Sequence, residues 1–206
     1  MSGTRQTFNQ SGARVPAAEA QNYGRDLLDG LRKQMPDMDD ILWLIKNGAA
    51  LDIQDARGDT ALHLAIRMQR ADVVQEMLSR TADVNTPNKA GNTPVILAAT
   101  GGSEILRAVI TAGADVKHLN NGGNDALTCA VAAGKSANVR LLLDAGAEVK
   151  QKLLEMAERL HRGSLLPMLH GARDAFGRAA STAARDIPLL NMPRPQRPPA
   201  PPQPPR

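Results

Sequence analysis

The sequence predicts an all-α solenoid of stacked helix-turn-helix units joined by short hairpin loops, with disordered tails at both ends. Three observations point there. Two separate tracts recur together at a spacing of 32 or 33 residues. Each recurrence is followed by apolar residues at helical spacing. Aromatic residues are only 2% of the 206 positions against 42% apolar, so Leu, Ile, Val, Met and Ala must fill the core.

The first tract reads Gly58-Asp59-Thr60-Ala61-Leu62-His63-Leu64-Ala65, then Gly91-Asn92-Thr93-Pro94-Val95-Ile96-Leu97-Ala98, then Gly123-Asn124-Asp125-Ala126-Leu127-Thr128-Cys129-Ala130. The second begins at Gly48, Thr81, Gly113 and Gly146, and reads Thr81-Ala82-Asp83-Val84-Asn85 and Gly113-Ala114-Asp115-Val116-Lys117 in its middle copies. Thr60, Thr93 and Asp125 are suited to cap a helix, because each side-chain oxygen can take a free backbone N–H. Pro94 follows its cap, where a missing N–H costs nothing. Short first helices are predicted over 61–68, 94–100 and 126–133. Turns follow at Gln69-Arg70, Gly101-Gly102 and Gly134-Lys135. Each second helix carries an apolar stripe: Val73, Val74, Met77 and Leu78, then Ile105, Leu106, Val109 and Ile110, then Val139, Leu141, Leu142 and Leu143. Gly113 and Gly146 close these helices. Thr81 takes that place in the first unit, where a β-branched residue predicts local strain or a different turn.

The period, the Gly-Asp-Thr-Ala-Leu-His-Leu-Ala tract and the Ala-Asp-Val-Asn tract resemble ankyrin repeats. The resemblance implies complete repeats at 55–87, 88–119 and 120–152. It adds a degenerate repeat at 24–54, with its outer helix over 37–46, and a C-terminal cap at 153–170, all within a domain of 22–170. End units need a polar outer face. Leu27, Leu28 and Leu31 are expected to close one end of the core, and Leu153, Leu154, Met156 and Leu160 the other. The sequence departs from the family where Ala61 and Ala126 replace Pro and where Ile96 and Thr128 replace His. The second repeat is also one residue short near Gly101-Gly102.

A stack of such units lines up its turns and first helices on one concave side, and the resemblance implies that partner contacts fall there. The candidates are Arg57, Asp59, Arg67 and Met68 in the first complete repeat, Lys89 and Asn92 in the second, and Asn121 and Asn124 in the third. Arg57, Arg67 and Arg70 could hold an acidic segment, and Met68 offers an adaptable apolar contact. For His63 the resemblance implies a structural role, orienting the turn by hydrogen bonding.

Catalytic and metal chemistry is not expected. No two His stand at i, i+4, and no His-Glu-x-x-His occurs. Cys129 fills the slot of Leu64 and Leu97, so it reads as a small apolar residue. As the one cysteine it also excludes an intrachain disulfide. The glycine pairs lie in turns and outside any phosphate loop. The expectation is no enzyme and no cofactor.

Residues 1–21 lack a period and are expected to be a disordered tail. An Ala-rich stretch at 171–186 reads as a short helix or linker. Nine of the fourteen prolines lie from Pro188 onward, so 187–206 reads as a disordered Pro/Arg-rich tail, extended in polyproline II. Pro201, Pro204 and Arg206 match a ligand pattern for SH3-type domains.

The formal charge of +4 belongs to the ends, because residues 37–150 carry eleven basic and fourteen acidic groups. Nucleic acid is therefore not the expected partner. No apolar run approaches the roughly 20 residues that span a bilayer, and the N-terminus lacks the apolar core of a secretory signal. A monomer in the cytoplasm is expected, or alternatively an effector exported without a standard signal. The leading functional reading is a non-enzymatic module that binds another protein as scaffold, inhibitor or effector. The alternative is an adaptor whose basic tail binds SH3-type domains, nucleic acid or anionic membrane.

Overall fold

The computed structural model describes residues 7–33, 36–80 and 82–174. The described chain opens with a two-residue antiparallel pair, β1 (Thr7–Phe8) and β2 (Arg14–Val15). Helices α1 (Ala17–Arg32) and α2 (Met38–Lys46) form the first unit. Then come α3 (Ala61–Arg67) with α4 (Ala71–Ser79), α5 (Pro94–Ala98) with α6 (Ser103–Thr111), and α7 (Ala126–Ala133) with α8 (Ser136–Asp144). Helix α9 (Gln151–Arg159), a 3₁₀ turn (Gly163–Leu165) and a last helix, α10 (166–174), end the described chain.

The helices stand in two rows. Successive members of α1, α3, α5, α7 and α9 touch to make the inner row, and α2, α4, α6 and α8 touch in turn to make the outer row. One continuous apolar core runs between the rows. It passes from Leu27 and Ile41 through Ile66, Met77, Leu106, Leu127 and Leu142 to Leu165 and Leu169. The predicted stripes supply it: Val73, Val74 and Met77, then Ile105, Leu106 and Val109, then Val139 and Leu142 are all buried.

Side-chain caps set the starts of α2, α3 and α7. The Asp37 side chain caps α2 by accepting from the N–H groups of Asp39 and Asp40, and Asp125 caps α7 by accepting from Thr128 N at 2.8 Å. Thr60 Oγ1 lies 2.8 Å from His63 Nδ1, which also accepts from Thr60 N at 3.2 Å. Thr93 stands in the same position, but the residue three on is Ile96. Thr93 Oγ1 is buried with no hydrogen-bond partner among the described residues, so replacing the family His costs this repeat its reciprocal cap. Gly113 and Gly146 adopt φ of 90° and 88°, as the helix-closing role requires.

Several expectations need correction. The described residues of the expected 1–21 tail form the β1–β2 pair and the first turns of α1. Ala50 N donates to Ala20 O at 2.9 Å, and Val15, Ala20 and Ala50 make a small apolar cluster that holds the segment on the stack. Leu160 is 42% exposed and does not close the core; the buried Leu165 and Leu169 do. Helix α5 stops at Ala98, not at 100. Residues 171–174 are helical, continuing α10. The rest of the Ala-rich stretch, the Pro/Arg-rich segment, residues 1–6 and Thr81 lie outside the described residues.

The early end of α5 follows from the missing residue of that repeat, and two amide side chains compensate. Buried Asn138, on α8, donates through Nδ2 to Ala99 O at 2.8 Å and to Gly101 O at 3.0 Å. Gly102 N donates to Gln69 Oε1 at 2.6 Å, and a Cβ on Gly101 would collide with the Gln69 amide. Substituting Asn138→Ala strands two carbonyls and should destabilise by about 1–3 kcal/mol. Urea unfolding followed by far-UV circular dichroism measures this, and an unchanged midpoint would assign that carbonyl pairing no weight.

Candidate partner-binding face

The concave side is built from the hairpin tips, the inner row and the turns that leave it. Residue 55 and its equivalents, Asn88 and Asn120, set each tip. Asp55 Oδ1 accepts from Arg57 N at 2.7 Å and Asp59 N at 2.9 Å. Asn88 Oδ1 accepts from Ala90 N and Asn92 N, each at 3.0 Å. Asn120 Oδ1 accepts from Gly122 N at 2.9 Å and Asn124 N at 3.0 Å. An Asx side chain that satisfies its own loop is a general turn device.

The amide carries a second function that a carboxylate could not. Asn88 Nδ2 donates back to Asp59 Oδ1 at 2.7 Å, and Asn120 Nδ2 to Asn92 Oδ1 at 2.8 Å. Main-chain bonds run alongside, from Lys89 N to Arg57 O at 3.0 Å and from Asn121 N to Ala90 O at 3.1 Å. His63 reaches between units as well, with Nε2 3.0 Å from Asn92 O. His118 Nε2 does the same to Gly91 O at 3.0 Å. The tips therefore form a hydrogen-bonded ladder from one repeat to the next.

The ladder sorts the eight sequence-chosen residues. Asp59 is 1% exposed; its carboxylate is spent on Asn88 and on Arg67 Nη2 at 2.8 Å. Asn92 is half-buried and bonded within the ladder. Asp59 is thereby buried as a ladder residue and offers a partner little surface, while half-buried Asn92 has its Oδ1 engaged within the ladder. Asn121 is exposed, but its amide donates to Lys89 O at 2.9 Å. Arg67 is exposed and held by Asp59, and Met68 is half-buried against the core. Arg57, Lys89 and Asn124 stand exposed, and among the described residues neither Arg57 nor Lys89 forms an ion pair. Arg70 is paired with Asp72, Nε to Oδ1 at 3.0 Å.

Sequence reading reached Arg67 at the far end of this face but not the groove beside it. A groove of about 470 Å³ opens where the inner helices of three repeats meet their turns. Ile66 and Leu97 line its floor, Arg67, Gln69 and Thr100 its walls, and Lys135 its far edge. The one-residue shortening at Gly101-Gly102 was the available signal, because two residues without side chains leave space. Cys129 is half-buried and burial pushes its thiol up, away from the thiolate form a nucleophile needs. Among the described residues, no three His, Cys, Asp or Glu side chains are grouped to hold a metal ion.

Models of ankyrin repeats in many copies and in three copies match residues 44–98 and 82–152. The chain belongs to the ankyrin-repeat family. Its curated relatives include a putative palmitoyltransferase, ZDHHC13, of Danio rerio, 30% identical over 63% of this chain and 21% of the relative. Human ankyrin repeat domain-containing protein 63 is 34% identical over 48% of this chain and 27% of its own length. Human ankyrin repeat and SOCS box protein 6 is 32% identical over 52% and 28%. The chain thus spans less than a third of each of these relatives. What they share with it is the repeat stack, and ankyrin repeats are in general protein-interaction modules. No helix among the described residues is long and apolar enough to cross a membrane.

The ladder can be tested at Asn88 and at His63. Asn88→Ala removes the Asp59 donor and strands two loop N–H groups, and should cost about 1–3 kcal/mol in urea. Asn88→Asp keeps the loop acceptor but sets a second carboxylate against Asp59, so its penalty should be large at pH 7 and shrink as the pH falls below about 4. Equal penalties at both pH values would contradict the ladder. At His63, burial holds the imidazole below its ordinary 6.5, outweighing the Asn92 carbonyl and the Asp59 and Asp55 carboxylates that favour the charged form; Arg67 acts with burial. The native state therefore binds the proton less readily than the unfolded chain does. The stability due to His63 is complete above 6.5 and declines as the pH falls toward the folded value. The stability gap between the parent and His63→Gln should accordingly narrow between about pH 7.5 and 5, measured by unfolding at each pH.

Proposed function

We propose that this chain is a non-enzymatic binding module that takes an extended, acidic segment of another protein along its concave face. The observation that carries this reading is the pairing of a groove with spare cations. Arg57 and Lys89 stand at adjacent tips without ion-pair partners among the described residues, and Lys135 edges the groove at the other end. Between them half-buried Leu97 offers apolar surface. An extended segment crossing from tip to turn would meet charge, then apolar surface, then charge. A few such anchors dominate a typical interface, and the remaining contacts exclude water.

A ladder that fixes the tips favours this use. The backbone is held before the partner arrives, so little ordering remains to be paid for on binding. Arg67 is positioned by Asp59 and presents its remaining N–H groups at the groove wall. We take the chain to act as a monomer in the cytoplasm, and the half-buried, unactivated Cys129 thiol is in keeping with a binding role. Scaffold, inhibitor and effector roles all use the same face.

The test is capture of proteins from a cell extract on the immobilised full chain, compared with two variants. R57E/K89E reverses the tip charges, and Thr100→Trp fills the groove without adding charge. Both should lose the captured set, R57E/K89E with affinity falling about tenfold or more. A chain lacking 187–206 should retain it. If that deletion abolishes capture while R57E/K89E and T100W leave it intact, the concave face is not the binding surface.

A further inference from the structure

The first unit carries a second groove. It holds about 400 Å³ between α1 and α2 and is lined by Asp26, Asp29, Asp37 and Asp40, with Lys33 and Trp43. Trp43 is the sole Trp of the chain. It is 50% exposed, an unusual state for a large apolar ring in a chain with so few of them. Its indole is not loose. Tyr23 packs against it edge to face, with centroids 5.8 Å apart and planes at 76°, and Tyr23 Oη donates to Glu19 at 2.5 Å. The groove therefore presents an aromatic ring, braced on one side by Tyr23, inside an acidic rim. Asp37 caps α2, while Asp26, Asp29 and Asp40 form no ion pair or side-chain hydrogen bond among the described residues.

One segment of this chain has the complementary chemistry. Residues 187–206 contain nine prolines with Arg194, Arg197 and Arg206, and no acidic residue. Pro-rich segments dock on exposed aromatic rings, since the pyrrolidine face packs flat and little backbone entropy is lost. In a polyproline II helix, with three residues per turn, positions three apart such as Arg194 and Arg197 would share an edge. Asp26 and Asp29 are likewise three apart on α1 and share a face. The length also suffices. Nineteen residues, 175–193, separate α10 from Arg194, enough for roughly 60 Å of extended chain. From α2 to α8 the outer row takes three steps of roughly 8–10 Å each.

We propose that the Pro/Arg-rich segment 193–206 docks on the Trp43 groove of its own chain. Its prolines lie against the indole, and its arginines pair with Asp26, Asp29 and Asp40. This would cover the exposed ring and tie the two ends of the stack together.

The single Trp reports directly on that contact. Acrylamide quenching of Trp43 is measured on the full chain and on the full chain carrying R194E/R197E/R206E. Docking predicts a quenching constant about twofold higher in the charge-reversed chain, because the repelled segment uncovers the ring. Adding D26K/D29K to that variant should restore the shielding. These two positions are exposed on α1, and far-UV circular dichroism checks that the helices persist. Equal quenching in the parent and the R194E/R197E/R206E chain would overturn the proposal. So would shielding that grows with protein concentration, since a second copy would then be supplying the segment.

Discussion

A pair of helices seven to nine residues long, such as α3 with α4, has apolar surface on two sides and no third layer to cover it. Isolated helices of that length are marginal in water, so each unit exists only against a neighbour. Stacking is the constraint from which the other features follow. It puts Ile66, Met77, Leu106, Leu127 and Leu142 into one core. It forces the ends to be different, and it leaves the tips and inner helices aligned on one side. The ladder of Asn88 and Asn120 adds direction to what burial alone leaves non-specific, because each amide bonds only when the next hairpin stands in register.

The ends show the same constraint met in two ways. At the start, α1 is extended to sixteen residues, and Val15 and Ala20 cover Ala50. Gly24 allows this approach, since a Cβ there would lie 2.5 Å from Ala50 O. At the other end, α9, a 3₁₀ turn and α10 fold back to bury Leu165 and Leu169, while Arg162 reaches the previous unit through Ala132 O at 3.2 Å. In both places a segment that lacks the repeat pattern closes a core the repeats leave open. The first closure also exposes Trp43, since nothing among the described residues stacks beyond the first unit to cover that face of α2.

The repeats were legible because burial imposes a period: where Val73, Ile105 and Val139 recur, a helix must turn them inward. Their caps were legible for a local reason, as with Asp125. Helix start Ala17 was not legible, since Ala17 to Asn22 has no apolar stripe and is held by a backbone bond and a three-residue cluster. The buried fate of Asp59 was hidden too. Its partners, Asn88 and Arg67, lie 29 and eight residues away, and only the stacked geometry brings the first of them near. Leu160 and Leu165 look equivalent in sequence. Leu160 falls at the exposed C-terminal end of α9, while the 3₁₀ turn that ends at Leu165 carries that residue into the core.

Coupling between distant units is the direct measure of whether stacking holds the molecule together. Val109 is fully buried in α6, and Trp43 lies two units away in the outer row. Truncating Val109→Ala leaves a small cavity worth about 1–3 kcal/mol. Urea unfolding would be followed by Trp43 fluorescence and by helical circular dichroism together. A stack held by its neighbours predicts that both midpoints fall by the same amount. A Trp43 midpoint that stays at the parent value while the helical signal shifts or splits would show that the units stand independently.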